Sequence, residues 1–205
     1  DVNTGAVLAC ATYPSYDLNT YYQNYEALSK DKSSPLWNRA LMSTYEPGST
    51  MKPAIAAAGL EEGVITETSK FYCSHIYRQF TDTTFKCLGS HGWIDVKNAL
   101  NQSCNIYFYE TGRLLGINRM NDYCTRFGLG QKTGVEINES SGVLAGIAYR
   151  EAHGGTWYPG DTVQAAIGQS DNLFTPIQLC SYVSTIANGG TRYRAHFVKS
   201  VKSSD

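Results

Sequence analysis

Long apolar runs are missing from this chain of 205 residues. No stretch of about eighteen consecutive apolar residues occurs, so no segment reads as a membrane-spanning helix. An excess of one charge is missing too. Lys and Arg total 17 against 18 Asp and Glu, for a formal net charge of −1. A nucleic-acid binder normally carries a basic excess or a basic stripe, so no nucleic-acid partner is expected. Cysteine, at six residues, is too sparse for a small disulfide-stapled scaffold. No serine sits in a G-x-S-x-G elbow, which argues against a hydrolase of that kind. No signal peptide opens the chain. It begins with Asp1 in mid-pattern and reads as a piece of something longer, so the missing membrane segment says nothing about the parent.

What is present is an ordinary globular composition, 42% hydrophobic and 17% charged, with neither the bias of a disordered tail nor that of a coiled coil. The length fits one compact unit. Tyrosine is frequent, at 15 residues, which suits either a groove that receives a polar chain or a core. A turn at Asn3-Thr4-Gly5 followed by the apolar run 6–11 predicts a strand. Residues 14–25 are polar and tyrosine-rich and read as loop. Residues 37–45 have helical spacing, broken by Pro47-Gly48. Residues 49–62 predict a strong helix with Met51, Ile55, Ala58 and Leu60 on one stripe. Pro53 falls in its first turn, where backbone N–H groups have no helical partner. Residues 64–92 read as short strand pieces, and 94–102, 103–115 and 118–127 as helices. The glycine-rich stretch 129–162 reads as a long loop lining a groove. Pro176 opens a last helix, 176–188, and 193–201 reads as a strand.

The strongest local feature is Ser49-Thr50-Met51-Lys52 at a helix start. Residues three apart share a helix face. A serine hydroxyl becomes a nucleophile when a base takes its proton. A lysine amine is such a base once burial or a neighbouring cation brings its pKa down from about 10.4. The helix N-terminus adds N–H groups and a positive dipole end toward an oxyanion. A bare S-x-x-K is far more often an N-cap serine followed by a surface lysine. The context is Ser103-Cys104-Asn105, an S-x-N triplet at a second helix junction, which offers a further hydroxyl and a substrate-holding amide.

Cys73, Cys87, His91 and Cys104 form a C-x13-C-x3-H-x12-C series. It allows three readings: buried thiols, a disulfide joining Cys73–Cys87 or Cys87–Cys104, or a structural zinc site of three sulfurs and one imidazole. Cys10, Cys124 and Cys180 lie in apolar contexts and read as small buried hydrophobes.

The run Tyr45-Glu46-Pro47-Gly48-Ser49-Thr50-Met51-Lys52-Pro53 resembles the active-site segment of penicillin-binding proteins, specifically the monofunctional class B peptidoglycan transpeptidases. The resemblance covers nearly the whole chain. Thr4-Gly5-Ala6-Val7-Leu8-Ala9, Asn38-Arg39-Ala40, His91-Gly92, Ser103-Cys104-Asn105 with Tyr107-Phe108-Tyr109, Phe127-Gly128-Leu129-Gly130, Ile167-Gly168-Gln169, Thr175-Pro176 and Asn188-Gly189-Gly190 follow in family order. The implied fold is the α/β penicilloyl-serine transferase architecture, an antiparallel sheet flanked by helices plus an all-helical part. Catalysis in such enzymes uses S-x-x-K, S-x-N and K-T-G. Lys132-Thr133-Gly134 and Ser170-Asp171-Asn172 imitate motifs but stand in the wrong order, and both read as structural. The true K-T-G strand is expected beyond Asp205, so residues 1–205 are read as a partial transpeptidase domain with little turnover on its own.

The resemblance implies that Ser49 attacks D-Ala-D-Ala stem peptides of peptidoglycan and is acylated by β-lactams. Lys52 would be its general base. Ser103 would relay a proton to the leaving amine, and Asn105 would bind substrate and Lys52. It also implies Zn2+ held by Cys73, Cys87, His91 and Cys104, with a redox-controlled disulfide or free thiols as the alternatives. A partner glycosyltransferase of the elongation or division machinery follows from it, as does a place on the outer face of the bacterial membrane, the parent being anchored by an N-terminal segment. A β-lactam sensor, a β-lactamase or an inactive fragment of the same fold are the other readings.

Overall fold

The structure is a computed structural model, and it describes residues 1–203. In chain order the helices are α1 (Tyr21–Lys30), α2 (Arg39–Met42) and α3 (Lys52–Glu61), the last entered through a 3-10 turn, Gly48–Met51. Four short strands follow, β1 (Phe71–Cys73), β2 (Ile76–Tyr77), β3 (Phe85–Lys86) and β4 (Gly92–Ile94). Then come α4 (Val96–Asn101), α5 (Asn105–Leu115), α6 (Ile117–Arg126), α7 (Ile147–Ala152), α8 (Pro159–Ala166) and α9 (Pro176–Ala187). The strands make two antiparallel ribbons, β1 with β4 and β2 with β3. Helices and small antiparallel sheets are thus mixed, as expected, and helix dominates.

The described residues divide into two compact units, one of residues 46–130 and 143–173, the other of 1–45, 131–142 and 174–203. The second is centred on Leu41, Val135, Ile177 and Ala195, with Val7 and Met42 packed against them. Here α9 starts with Pro176 in its first turn and a reciprocal cap between Thr175 and Gln178. The buried Gln178 amide donates to the Gln131 and Ser141 carbonyls. The expected strands at 6–11 and 193–201 are absent. The two segments meet only at one parallel bridge, Ala6 to His196, and a ladder needs repeated pairing along both chains.

Two further expectations fail in this unit. The tyrosine-rich loop holds α1, which buries no residue and so shows no apolar stripe to read. It is held locally, by edge-on rings of Tyr21 and Tyr25 at 5.6 Å and a Glu26–Lys30 pair at 2.6 Å, each four residues apart. Cys10 and Cys180 are exposed, not buried. Position 180 lies off the stripe Gln178, Tyr182 and Thr185 that α9 buries, and an apolar neighbour in sequence does not fix helical phase.

The unit of residues 46–130 and 143–173 is built around α3, which buries Ala54, Ile55 and Ala58 completely. Leu60, expected on that stripe, is 40% exposed. Helix α5 supplies Tyr107, Phe108 and Leu115 to the same core. Close approaches are made where side chains are smallest. A Cβ on Gly59 would lie 2.8 Å from Thr111 Cγ2, and one on Gly112 would lie 2.3 Å from Ala166 Cβ. The long loop expected at 129–162 contains α7 and the start of α8. Both begin without a side-chain signal that stands out in a glycine-rich sequence; α8 is marked only by Pro159 and the Asp161 carboxylate bound to the Tyr158 N–H.

Gly112→Ala tests the tightest of these contacts. Helix propensity alone would favour Ala by about 1 kcal/mol. Two backbone-anchored carbons at 2.3 Å cannot both stay, and overpacking typically costs about 1–3 kcal/mol. The expected result is a net loss of up to about 2 kcal/mol in urea unfolding; a midpoint above the parent contradicts the packing described.

Candidate active site and cysteine cluster

Pro47-Gly48 ends the preceding extended segment, and Gly48 takes φ +53°, a region open to glycine. The chain then tightens into the 3-10 turn, which places Ser49 one turn ahead of Lys52. Thr50 Oγ1 donates to the Pro47 carbonyl at 2.7 Å, and the Gly48 N–H donates to the Gly168 carbonyl at 2.9 Å. The turn is therefore pinned on both sides of the serine.

Lys52 is 1% exposed. Its amine is held by three oxygens: the Ser103 carbonyl at 2.8 Å, Ser103 Oγ at 2.9 Å and Asn105 Oδ1 at 2.7 Å. The Phe108 ring centroid lies 5.7 Å from Nζ. Burial pushes the amine's pKa down to about 8, against the opposing pull of the Cys87 and Cys104 sulfurs. No carboxylate faces it among these contacts, so desolvation acts without a compensating anion at contact distance. Ser103 Oγ lies 2.8 Å from Ser49 Oγ. A continuous line of polar atoms thus runs Ser49, Ser103, Lys52, with the Ser103 hydroxyl between the other two.

Ser103 itself has φ +51°, a left-handed conformation that costs a residue other than glycine of the order of 1–3 kcal/mol. In that conformation its carbonyl and its hydroxyl both reach the one amine. Asn105 opens α5, and its side chain also donates to the Lys86 carbonyl at 3.3 Å. The four residues named from sequence, Ser49, Lys52, Ser103 and Asn105, are brought together. Sequence reading missed two contributors, the Ser103 carbonyl and the Phe108 ring. A backbone oxygen leaves no trace in a side-chain motif, and Phe108 reads simply as core.

Behind the triplet lies the cysteine cluster. The ligand atoms of Cys73, Cys87, His91 and Cys104 all fall within 4.8 Å of one another. Cys73 Sγ and Cys87 Sγ are 3.3 and 3.6 Å from His91 Nδ1, and Cys87 Sγ is 4.0 Å from Cys104 Sγ. All six cysteines are free. A tetrahedral zinc with Zn–S bonds of about 2.3 Å separates its sulfurs by roughly 3.8 Å, so the spacing and the donor chemistry fit that ion. Burial raises the Cys87 thiol's pKa, but N–H groups of Gly89, Asn105 and Ile106 and the Cys73 thiol outweigh it and favour the thiolate. Burial pushes Cys104 up to about 12. The Asn105 N–H donates to Cys87 Sγ at 3.2 Å, which joins the cluster directly to the triplet.

The two imitating motifs have structural partners. The Glu139 carboxylate accepts from Thr133 N and Oγ1 and from Gly134 N at 2.7–2.9 Å. Asn172 is fully buried, taking the Ala145 N–H at 3.0 Å and donating to the Ala165 and Gln169 carbonyls.

Residues 1–205 match the family model described as the penicillin binding protein transpeptidase domain. The chain is 35% identical over 211 residues to a peptidoglycan D,D-transpeptidase MrdA of Salmonella typhimurium, covering 97% of this chain and 33% of that protein. Among solved structures it is similar to Pseudomonas aeruginosa PBP2 in complex with WCK 5153, with TM-score 0.90 and 36% identity over 97% of this chain and 48% of that one. It is also similar to PBP2 of Helicobacter pylori in complex with MreC, with TM-score 0.91 and 29% identity over 99% of this chain and 39% of that one. The chain belongs to the penicillin-binding protein transpeptidase domain family. It spans about one third of the length of the curated relatives it matches.

Proposed function

We propose that this chain carries the nucleophilic half of a peptidoglycan D,D-transpeptidase that acts through an acyl-serine. The observation that supports it most is the buried Lys52 amine linked through the Ser103 hydroxyl to Ser49. In its neutral form the amine has two N–H groups, which the Ser103 carbonyl and Asn105 Oδ1 accept, and one lone pair, which then takes the Ser103 O–H. The Ser103 oxygen is left to accept from Ser49. As Ser49 Oγ bonds to the carbonyl carbon of the penultimate D-Ala, its proton moves to Ser103 and that of Ser103 to Lys52. The tetrahedral oxyanion is met by the Ser49 N–H at the helix entrance. Collapse breaks the C–N bond, and the proton returns by way of Ser103 to the departing D-Ala amine. The amine of a neighbouring stem peptide then displaces Ser49. A β-lactam carbonyl enters the same path and leaves Ser49 acylated.

The parent protein on this reading works at the outer face of the bacterial membrane, with a glycosyltransferase of the wall-growth machinery as partner. The H. pylori relative solved with MreC supports a role among assembled wall-growth proteins. Cys73, Cys87, His91 and Cys104 hold a zinc ion. Bound there, zinc supplies a structural cross-link and keeps the thiols as thiolates. Because Cys104 lies between Ser103 and Asn105, the protein's own ligands then anchor the strained triplet.

Ser49→Ala in the intact protein is expected to abolish covalent labelling by a fluorescent penicillin; persistent labelling excludes Ser49 as the nucleophile. Elemental analysis is expected to find about one zinc per chain, with three further thiols becoming reactive after chelation and penicillin labelling weakened. Metal-free protein that labels fully, or a disulfide in the cluster, overturns the zinc assignment.

A further inference from the structure

A single guanidinium outside the reacting groups ties together the segment that braces the nucleophile. Arg150, on α7, directs Nε to Asp171 Oδ2 at 2.6 Å and Nη2 to Asp161 Oδ1 at 3.3 Å and Ser170 Oγ at 3.2 Å. Its guanidinium carbon lies 5.5 Å from the Trp157 ring centroid. Asp161 is in the first turn of α8, and Ser170 and Asp171 lie just past its end. One side chain therefore clamps the helix from both ends.

What that helix touches gives the clamp its meaning. At its C-terminal exit Gly168 adopts φ +75°, and a Cβ there would lie 2.2 Å from the Gly48 carbonyl oxygen. The Gly168 carbonyl accepts the Gly48 N–H at 2.9 Å, one residue before Ser49. At Ala166 the same helix abuts Gly112 of α5, the helix that Asn105 begins. So α8 bears on both halves of the site, the serine turn by its C-terminal glycine and the triplet's helix by its last turn. Neither contact has slack, because glycine and alanine leave no flexible side chain to absorb a shift.

We propose that Arg150 is a positioning residue for acyl transfer: by fixing α8 it sets the separation of Ser49 and Ser103. The proposal rests on the acyl-serine reading. The salt bridges are partly shielded, with side-chain exposures of 21–25%, and the two carboxylates are held in fixed directions that a methionine of similar length does not reproduce. Loss of the clamp lets the Gly168 turn relax, and misplacement of a reacting group by about 1 Å costs up to about 100-fold in rate.

The test is stopped-flow acylation of the intact protein by a fluorescent penicillin, with Arg150→Met, Arg150→Lys and Ser49→Ala alongside the parent. Arg150→Met is expected to lower the limiting acylation rate about 10- to 100-fold, with half-saturation within about twofold and the pH midpoint unmoved, and Arg150→Lys to recover part of the rate. A limiting rate for folded Arg150→Met within about twofold of the parent overturns the positioning role. Should Arg150→Met fail to fold, Asp171→Asn, which keeps the Asp161 pair, must show the same selective loss of limiting rate, and its absence counts equally against the role. A parent that is not acylated, or a Ser49→Ala protein that is, refutes the acyl-serine reading itself and with it the proposal.

Discussion

An amine sealed from water and surrounded by oxygen atoms is the constraint on which the site depends. The Lys52 ammonium is denied hydration, and no carboxylate among its contacts offsets that loss. The physical consequence is a depressed pKa, and the structural consequence is a demand for acceptors at fixed positions. Those acceptors come from one short stretch, Ser103 to Asn105, which must adopt an unfavourable left-handed turn to deliver two of the three. The same turn brings the Ser103 hydroxyl to Ser49.

A strained turn persists only where its surroundings hold it. Three supports converge here. The thiol and imidazole cluster grips Cys104 and the Asn105 N–H from behind. Helix α5 continues directly from the triplet into the core with Ile106, Tyr107 and Phe108. The last turn of α8 presses on α5, while its C-terminal glycine presses on the turn that carries Ser49. The site is thus held from outside its own polar groups, by the cluster behind the triplet and by close approaches at Gly168 and Gly112 that leave no room for a larger side chain.

Much of this was legible in the amino-acid order. The S-x-x-K and S-x-N motifs named the four polar side chains, and family order along the chain pointed to the fold. The cysteine and histidine series named the cluster while leaving metal, disulfide and free thiols open. Helices with a buried face or a marked cap, such as α5, α6 and α9, were placed to within about two residues. What stayed hidden has physical reasons. Helix α1 buries nothing and depends on local ring and charge pairs. Strands 6–11 and 193–201 have strand-like sequences but find only one bridge, because pairing is a property of the partner. Cys180 lies in apolar sequence on the outward phase of its helix. The Ser103 carbonyl and the Gly168–Gly48 contact are backbone features, and no side-chain pattern encodes them.

The central claim is that Ser49 becomes reactive when Lys52 is uncharged, and the pH dependence of β-lactam acylation measures it most directly. Burial places the folded pKa of Lys52 at about 8, below its ordinary 10.5. Below that midpoint the amine carries its third proton and has no lone pair to accept from Ser103; above it the lone pair is free. The limiting acylation rate should therefore rise with pH through about 8 and level off. A rate that is flat across that range, or that keeps rising to a midpoint near 10.5, would contradict the buried amine as the base.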